Sequence, residues 1–242
     1  MFTRLIQVIS VLNIITIFSL NAAVIVGDSF DSNMDGWEAR AIGGGTPYGT
    51  VSGGQTVGGV SGVMRILADS GDLGDEIYAD IDDNELAGNK NYITMGVRSV
   101  TFKFYAGADD GGNGGGIDIP ADLRLYFVSA GSIKWYYDIE PTAGWGGAYF
   151  GYGANFLPYS GWYTEDNRDQ SYFLTDLTDV DEIGIEIVYQ NWNGQVYGLD
   201  EFNLNDQPVP EPETYIILAF TLLSLGWIVA RHKKEIFAFQ RI

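Results

Sequence analysis

The sequence predicts an all-β middle region, an antiparallel sandwich or barrel, and three observations point there. Short runs alternate with period two: Val100, Phe102 and Phe104 with Thr101, Lys103 and Tyr105, and Ile183, Ile185 and Ile187 with Gly184, Glu186 and Val188. Such alternation sends one side of a strand into a core and the other toward water. Clusters of Gly, Asn and Asp at 43–45, 108–116 and 191–194 separate the runs, as turns require. Helical periodicity is nearly absent from a chain with 32 glycines and 14% aromatics.

The elements follow in chain order. Residues 1–23 have the layout of a signal peptide: Arg4 near the start, an apolar stretch over 5–20, then Asn21, Ala22 and Ala23 as small residues for cleavage. The β-domain is expected over 24–206, with its clearest strands at 60–67, 97–106, 123–129, 133–139 and 183–189. No repeat of fixed period stands out, so one domain is expected. Residues 207–214 contain Pro208, Pro210 and Pro212, which fix φ and remove donors, and read as an extended linker. Residues 215–230 carry no charge. As a helix they span about 24 Å, short of the roughly 30 Å hydrocarbon core. Their place after the linker and before Arg231, His232, Lys233 and Lys234 nevertheless reads as a single transmembrane helix with a basic cytoplasmic tail over 231–242. The basic stop and the signal peptide both put the domain outside the membrane.

Composition excludes several functions. From Val24 to Pro210 there are eight Lys/Arg against twenty-nine Asp/Glu, within a chain of net charge −19. Such a field repels phosphate backbones, so nucleic acid is not a partner. No cysteine is present, which removes disulfide and thiol chemistry. The single histidine, His232, lies outside the domain, so His-based general bases, Ser-His-Asp triads and the usual zinc sites are absent from it.

Two resemblances add to this reading. Val209, Pro210, Glu211 and Pro212, the apolar segment, and then Arg231, Lys233 and Lys234 resemble the PEP-CTERM sorting signal of Gram-negative bacteria. That resemblance implies an exosortase as partner, a stage at the inner membrane with the domain in the periplasm, and cleavage near the Pro-Glu-Pro that leaves the domain at the cell surface or outside. The tail over 235–242 departs from the family, which usually stops soon after its basic cluster. The edges of the domain carry the second resemblance. Gly27, Asp28, Ser29, Phe30 and Asp31, with Gly36 and Trp37, open it, and Tyr197, Gly198, Leu199, Asp200, Glu201 and Phe202 close it. These ends are similar to the galactose-binding-like jelly roll of many carbohydrate-binding modules. The resemblance implies a jelly-roll sandwich with its first and last strands side by side. It also implies a structural Ca²⁺ between them, with Asp28, Asp31 and Asp200 as the matching ligands.

Calcium takes six to eight hard oxygens, which those carboxylates and nearby carbonyls would supply. The run Asp109 to Asp118 has the wrong aspartate spacing for a calcium repeat and reads as a loop. The run Asp80 to Glu85 brings carboxylates together, yet alternation splits Asp80 and Asp82 from Asp83. That split argues against a two-carboxylate glycosidase. Aromatics crowd the segment from Trp135 to Tyr163. Sugar rings stack on exposed indole and phenol faces, and Trp145, Tyr149 and Trp162 are the candidates for that contact. Core packing is the competing use of such rings. The sequence therefore predicts an exported, non-catalytic protein that binds or organises extracellular polysaccharide. The alternatives are a structural matrix protein with no discrete ligand, or a carbohydrate-active hydrolase.

Overall fold

The computed structural model describes residues 22–34, 36–68, 73–81, 85–106, 119–141, 149–190, 194–209 and 224. The chain divides into two units, Met1–Pro208 and Val209–Ile242. In the first, eleven strands form two antiparallel sheets: β1 Val24–Asp28, β2 Glu38–Ala41, β3 Gly49–Val57, β4 Val60–Ala68, β5 Gly74–Ala79, β6 Ser99–Ala106, β7 Asp122–Ser129, β8 Ile133–Ile139, β9 Phe150–Asn155, β10 Val180–Val188 and β11 Gln195–Asn205. One sheet has the order β3-β4-β11-β6-β9, with β1 also paired to β11, and the other the order β2-β5-β10-β7-β8. This is a jelly-roll sandwich. Its first and last strands lie side by side, with Val26 opposite Leu204 and Asp28 opposite Phe202.

The strand β11 organises the six-stranded sheet. Along one edge β4 pairs with Gln195–Leu199, and β1 takes over at Phe202. A register shift between Asp200 and Asn203 in the pairing with β6 marks the changeover. The ends of the domain are tied as well: the Ala23 amide donates to Asp206 Oδ1 at 2.8 Å.

Inward residues of both sheets meet in one core. Val100, Phe102 and Phe104 face Ile183, Ile185, Ile187, Leu125 and Phe127, all fully or almost fully buried. Phe127 is an aromatic hub, with ring centroids 5.3 Å from Trp162, 5.7 Å from Phe173 and 6.0 Å from Phe156. Two four-residue helices, α1 Tyr92–Met95 and α2 Phe173–Asp176, plug the sandwich edges. α1 starts where Asn91 caps the Thr94 amide and stops at Gly96, whose left-handed φ ends the turn.

Two expectations need correction. Period-two alternation on β10 implied a wet outer side, but Glu182 and Glu186 are as deeply buried as core residues, at 8% and 1% exposure. Other side chains of the same sheet lie over them. The expected transmembrane helix is also not supported, and of its residues 215–230 only Ser224 is described. Among the described residues no helix is long and apolar enough to cross a membrane. Sixteen residues fall short of a bilayer core in length, and position alone had outweighed that shortfall. The inner-membrane placement and the membrane as a partner rested on that helix and lose their support; the exosortase partnership, which rested on the Pro-Glu-Pro, that helix and the basic cluster together, is not supported either. Pro210, Glu211, Pro212, Arg231, Lys233 and Lys234 lie outside the described residues, as do residues 1–21 of the signal-peptide reading.

Candidate functional site on the outer face of the five-stranded sheet

The side of the five-stranded sheet turned away from the core is built from alternate positions of its strands: Glu38 and Arg40 on β2, Glu76 and Tyr78 on β5, Glu182, Gly184 and Glu186 on β10, Arg124, Tyr126 and Val128 on β7, and Lys134, Tyr136 and Asp138 on β8. Register turns these positions into rows. Glu38 lies opposite Tyr78, Tyr78 opposite Gly184, Gly184 opposite Tyr126, and Tyr126 opposite Tyr136. Tyr136 in turn bridges to Tyr163, exchanging backbone hydrogen bonds of 2.7 and 2.9 Å. A tyrosine row thus crosses the whole sheet. A charged row runs beside it, from Arg40 through Glu76, Glu186 and Arg124 to Asp138.

Gly184 interrupts the tyrosine row because no side chain fits there. A Cβ would meet the Ile77 carbonyl and the Tyr78 backbone. Tyr78, Tyr126 and Tyr136 form an aromatic cluster with Val128 and Tyr163 packed against it. Basic side chains lie on these rings: Arg40 over Tyr78 at 4.3 Å, Arg124 over Tyr136 at 4.7 Å and Lys134 over Tyr126 at 3.7 Å. Cation–π attraction and desolvation of the ring faces hold them flat.

Three deep carboxylates lock the cations. Arg40 donates to Glu76 Oε2 at 2.6 Å and to both oxygens of Glu182 at 2.9 and 2.6 Å. Lys134 donates to Glu76 Oε1 at 2.6 Å and reaches Glu186 Oε2 at 3.5 Å. Arg124 pairs with Glu186, and more loosely with Asp122 at 3.5 Å and Glu165 at 3.7 Å. The Tyr126 hydroxyl donates to Glu182 Oε1 at 2.6 Å. Burial, then the Glu182 and Glu76 charges, push the Tyr126 phenol well above its ordinary range. Burial, then the hydrogen bond to Glu38, raises Tyr78 to about 12. At the β8 edge a cleft of about 180 Å³ opens, lined by Ser132, Ile133, Lys134, Tyr136, Thr164, Glu165 and Asp166. The Thr164 hydroxyl holds Asp166 below the usual carboxylate range.

Glu76, Glu182 and Glu186 are each held by at least one cation. A glycosidase needs two carboxyl groups free to exchange a proton and attack, with environments that push them apart.

The residues singled out from sequence fall elsewhere. Trp162 is 2% exposed, stacked on Phe156 at 5.3 Å, and donates its indole N–H to the Asn155 carbonyl at 2.8 Å. Its ring is core. Tyr149 lies on the other sheet, stacked on Tyr105 at 5.2 Å and packed over Gly198. Burial, then the Asp200 charge, raises its phenol. Trp145 lies outside the described residues, as does the 107–118 loop. Asp28 accepts the Trp37 indole N–H at 2.6 Å, and Asp31 accepts the Ser29 hydroxyl at 2.8 Å. Burial raises the Asp200 carboxyl, against the hydrogen bond from the Glu201 amide; the Asp31 charge adds to the rise. Among the described residues no group of three or more His, Cys, Asp or Glu is placed to hold a metal ion.

The outer face was missed because its residues are scattered over five strands. The signal that marks it is a polar or tyrosine residue at every second position of neighbouring strands: Arg124 and Tyr126, Lys134 and Tyr136, Glu76 and Tyr78.

No family model matches the chain, so the resemblance to the PEP-CTERM signal has no match behind it. No curated protein matches it either. Solved structures do. The solution structure of the carbohydrate-binding module CtCBM11 aligns with a TM-score of 0.47 and 16% identity, over 80% of this chain and 99% of that one. A family 11 carbohydrate-binding module from Clostridium thermocellum, in complex with a β-1,3-1,4-mixed-linked tetrasaccharide, gives 0.45 and 14%, over 74% and 95%. An exo-β-agarase gives 0.48 and 11%, over 78% of this chain and 25% of that one. At these values the likeness reaches the outline of the sandwich and no further.

Proposed function

We propose that this chain is a non-catalytic polysaccharide-binding protein whose ligand lies across the outer face of the five-stranded sheet. The observation that carries this reading is the construction of that face. Three cationic side chains lie flat on a tyrosine row and are fixed by buried carboxylates. Polar groups held in place before binding lose little entropy when they meet a ligand. Sugar hydroxyls donate to carboxylates and accept from guanidinium and ammonium groups, so a fixed array of both suits them. Contact is by hydrogen bonding and packing on guanidinium planes, since the tyrosine rings are the floor beneath.

Native affinity electrophoresis of the full-length chain in gels holding mixed-linked β-glucan, xylan or mannan tests this. Retention by one of them is expected, and Tyr163→Ala with Glu165→Ala should weaken it about tenfold, or roughly 1.4 kcal/mol. Retention that these substitutions leave unchanged rules out this face.

One observation favours a second reading, a structural protein with no discrete ligand: the cations of the face already pair with its own carboxylates. Absence of retention by every polymer is the result that reading expects. Calcium between the terminal strands is a further proposal, supported by the Asp31 charge felt at Asp200. Thermal unfolding checks it: millimolar Ca²⁺ should raise Tm and EDTA reverse the rise, whereas an unmoved Tm removes the ion.

A further inference from the structure

We propose that the face selects uncharged polysaccharide and rejects polyanions such as uronate or sulfated chains; this rests on the sugar-binding reading above. A basic patch usually attracts polyanions, and this face holds Arg40, Arg124 and Lys134, three of the domain's eight basic residues. Their charge is already spent. Each is bound to a carboxylate beneath it, and those carboxylates, Glu76, Glu182 and Glu186, are between 1% and 8% exposed. A polyanion would have to displace ion pairs as short as 2.6 Å and leave buried carboxylates without a counter-ion.

Around the cations stands an exposed ring of acids. Glu38 and Asp138 border the tyrosine row, accepting the Tyr78 and Tyr163 hydroxyls at 3.0 and 2.7 Å. Glu165 and Asp166 line the cleft beside Lys134. With Asp122, the face sets eight carboxylates against three cations. Neighbouring strands lie about 4.8 Å apart, inside the Debye length of about 8 Å at physiological salt, so a ligand group that touches the face feels the acids nearest to it. Carboxylates accept from sugar hydroxyls, and an anionic group offers them no donor. The arrangement therefore presents acceptors to neutral sugars and repulsion to acidic ones.

The test is affinity electrophoresis of the full-length chain against a neutral panel (mixed-linked β-glucan, xylan, mannan) and an acidic panel (pectate, alginate), from about 50 to about 500 mM NaCl. The expected result is retention by a neutral polymer that salt leaves unchanged within about twofold, with no retention by the acidic ones. Retention by pectate or alginate that weakens with salt overturns this selectivity while leaving sugar binding standing. Retention by none of the polymers overturns the sugar-binding reading and the selectivity with it. Glu38→Lys with Glu165→Lys changes two exposed side chains and should create pectate retention, a gain of at least about tenfold. A double variant that keeps the wild-type unfolding curve and gains nothing toward pectate contradicts charge as the filter.

Discussion

Lys134 illustrates how single residues act on this surface. Its ammonium lies over the Tyr126 ring and bridges Glu76 on β5 to Glu186 on β10. Removing it leaves Glu76 to Arg40 alone and Glu186 to Arg124 alone, a loss of about 1.5–3 kcal/mol for hydrogen bonds between charged groups. Lys134→Ala should lose that amount in urea unfolding, and adding Glu76→Gln should restore part of it. A single-variant loss below about 1 kcal/mol would show the network to be superficial. On the opposite sheet, a Cβ at Gly198 would overlap the Tyr149 hydroxyl. Gly198→Ala should lift Tyr149 off Tyr105 and cost about 1–3 kcal/mol, measured by the same unfolding curves. The residue scale was also the hardest to read from sequence. Trp162 sits in an aromatic-rich, glycine-flanked stretch that suits an exposed ring, yet its neighbours Phe127, Phe156 and Phe173 come from separate segments and close over it.

Strands were more legible than sites. β4, β6, β7, β8 and β10 follow directly from period-two runs, because hydrophobic alternation is a local property of the chain. β3 and β9 escaped, since their glycine-rich sequences, Gly49–Val57 and Phe150–Asn155, carry little alternation and take their order from pairing with β4 and β6. The burial of Glu182 and Glu186 was illegible for the same reason: the groups that cover them come from β2, β7 and β8. Between the two sheets, Phe127 on β7 joins the helix α2 to the loop after β9 through Phe173, Phe156 and Trp162. Phe127→Ala should cost about 3–5 kcal/mol by creating a cavity there. A smaller loss would mean the surrounding rings collapse into the space.

Across the whole molecule, the two sides of the sandwich divide the work. The six-stranded sheet ties the ends of the domain together through β1 and β11, and the five-stranded sheet carries the polar, tyrosine-floored face. That face makes a prediction about alkaline pH. Tyr78 is raised to about 12 by burial, then the Glu38 hydrogen bond, and burial with the Glu182 and Glu76 charges holds Tyr126 well above its ordinary range. The folded protein therefore keeps protons that the unfolded chain loses near pH 10. The stabilisation from the neutral phenols is complete below about pH 10 and declines above it. Tm should hold steady through neutral pH and fall as pH climbs past about 10, with Tyr78→Phe reducing the fall. The fold class was legible in alternation and turns. The ligand surface was not legible, because it exists only once register brings five separate strands into rows. The central claim is that this surface binds polysaccharide, and hydrogen exchange of the full-length chain tests it most directly. With a neutral β-glucan, xylan or mannan present, amides of β7, β8 and residues 163–166 should gain protection while those of β3 and β4 stay unchanged. Protection confined to β3 and β4, or none with any polymer, would contradict the account.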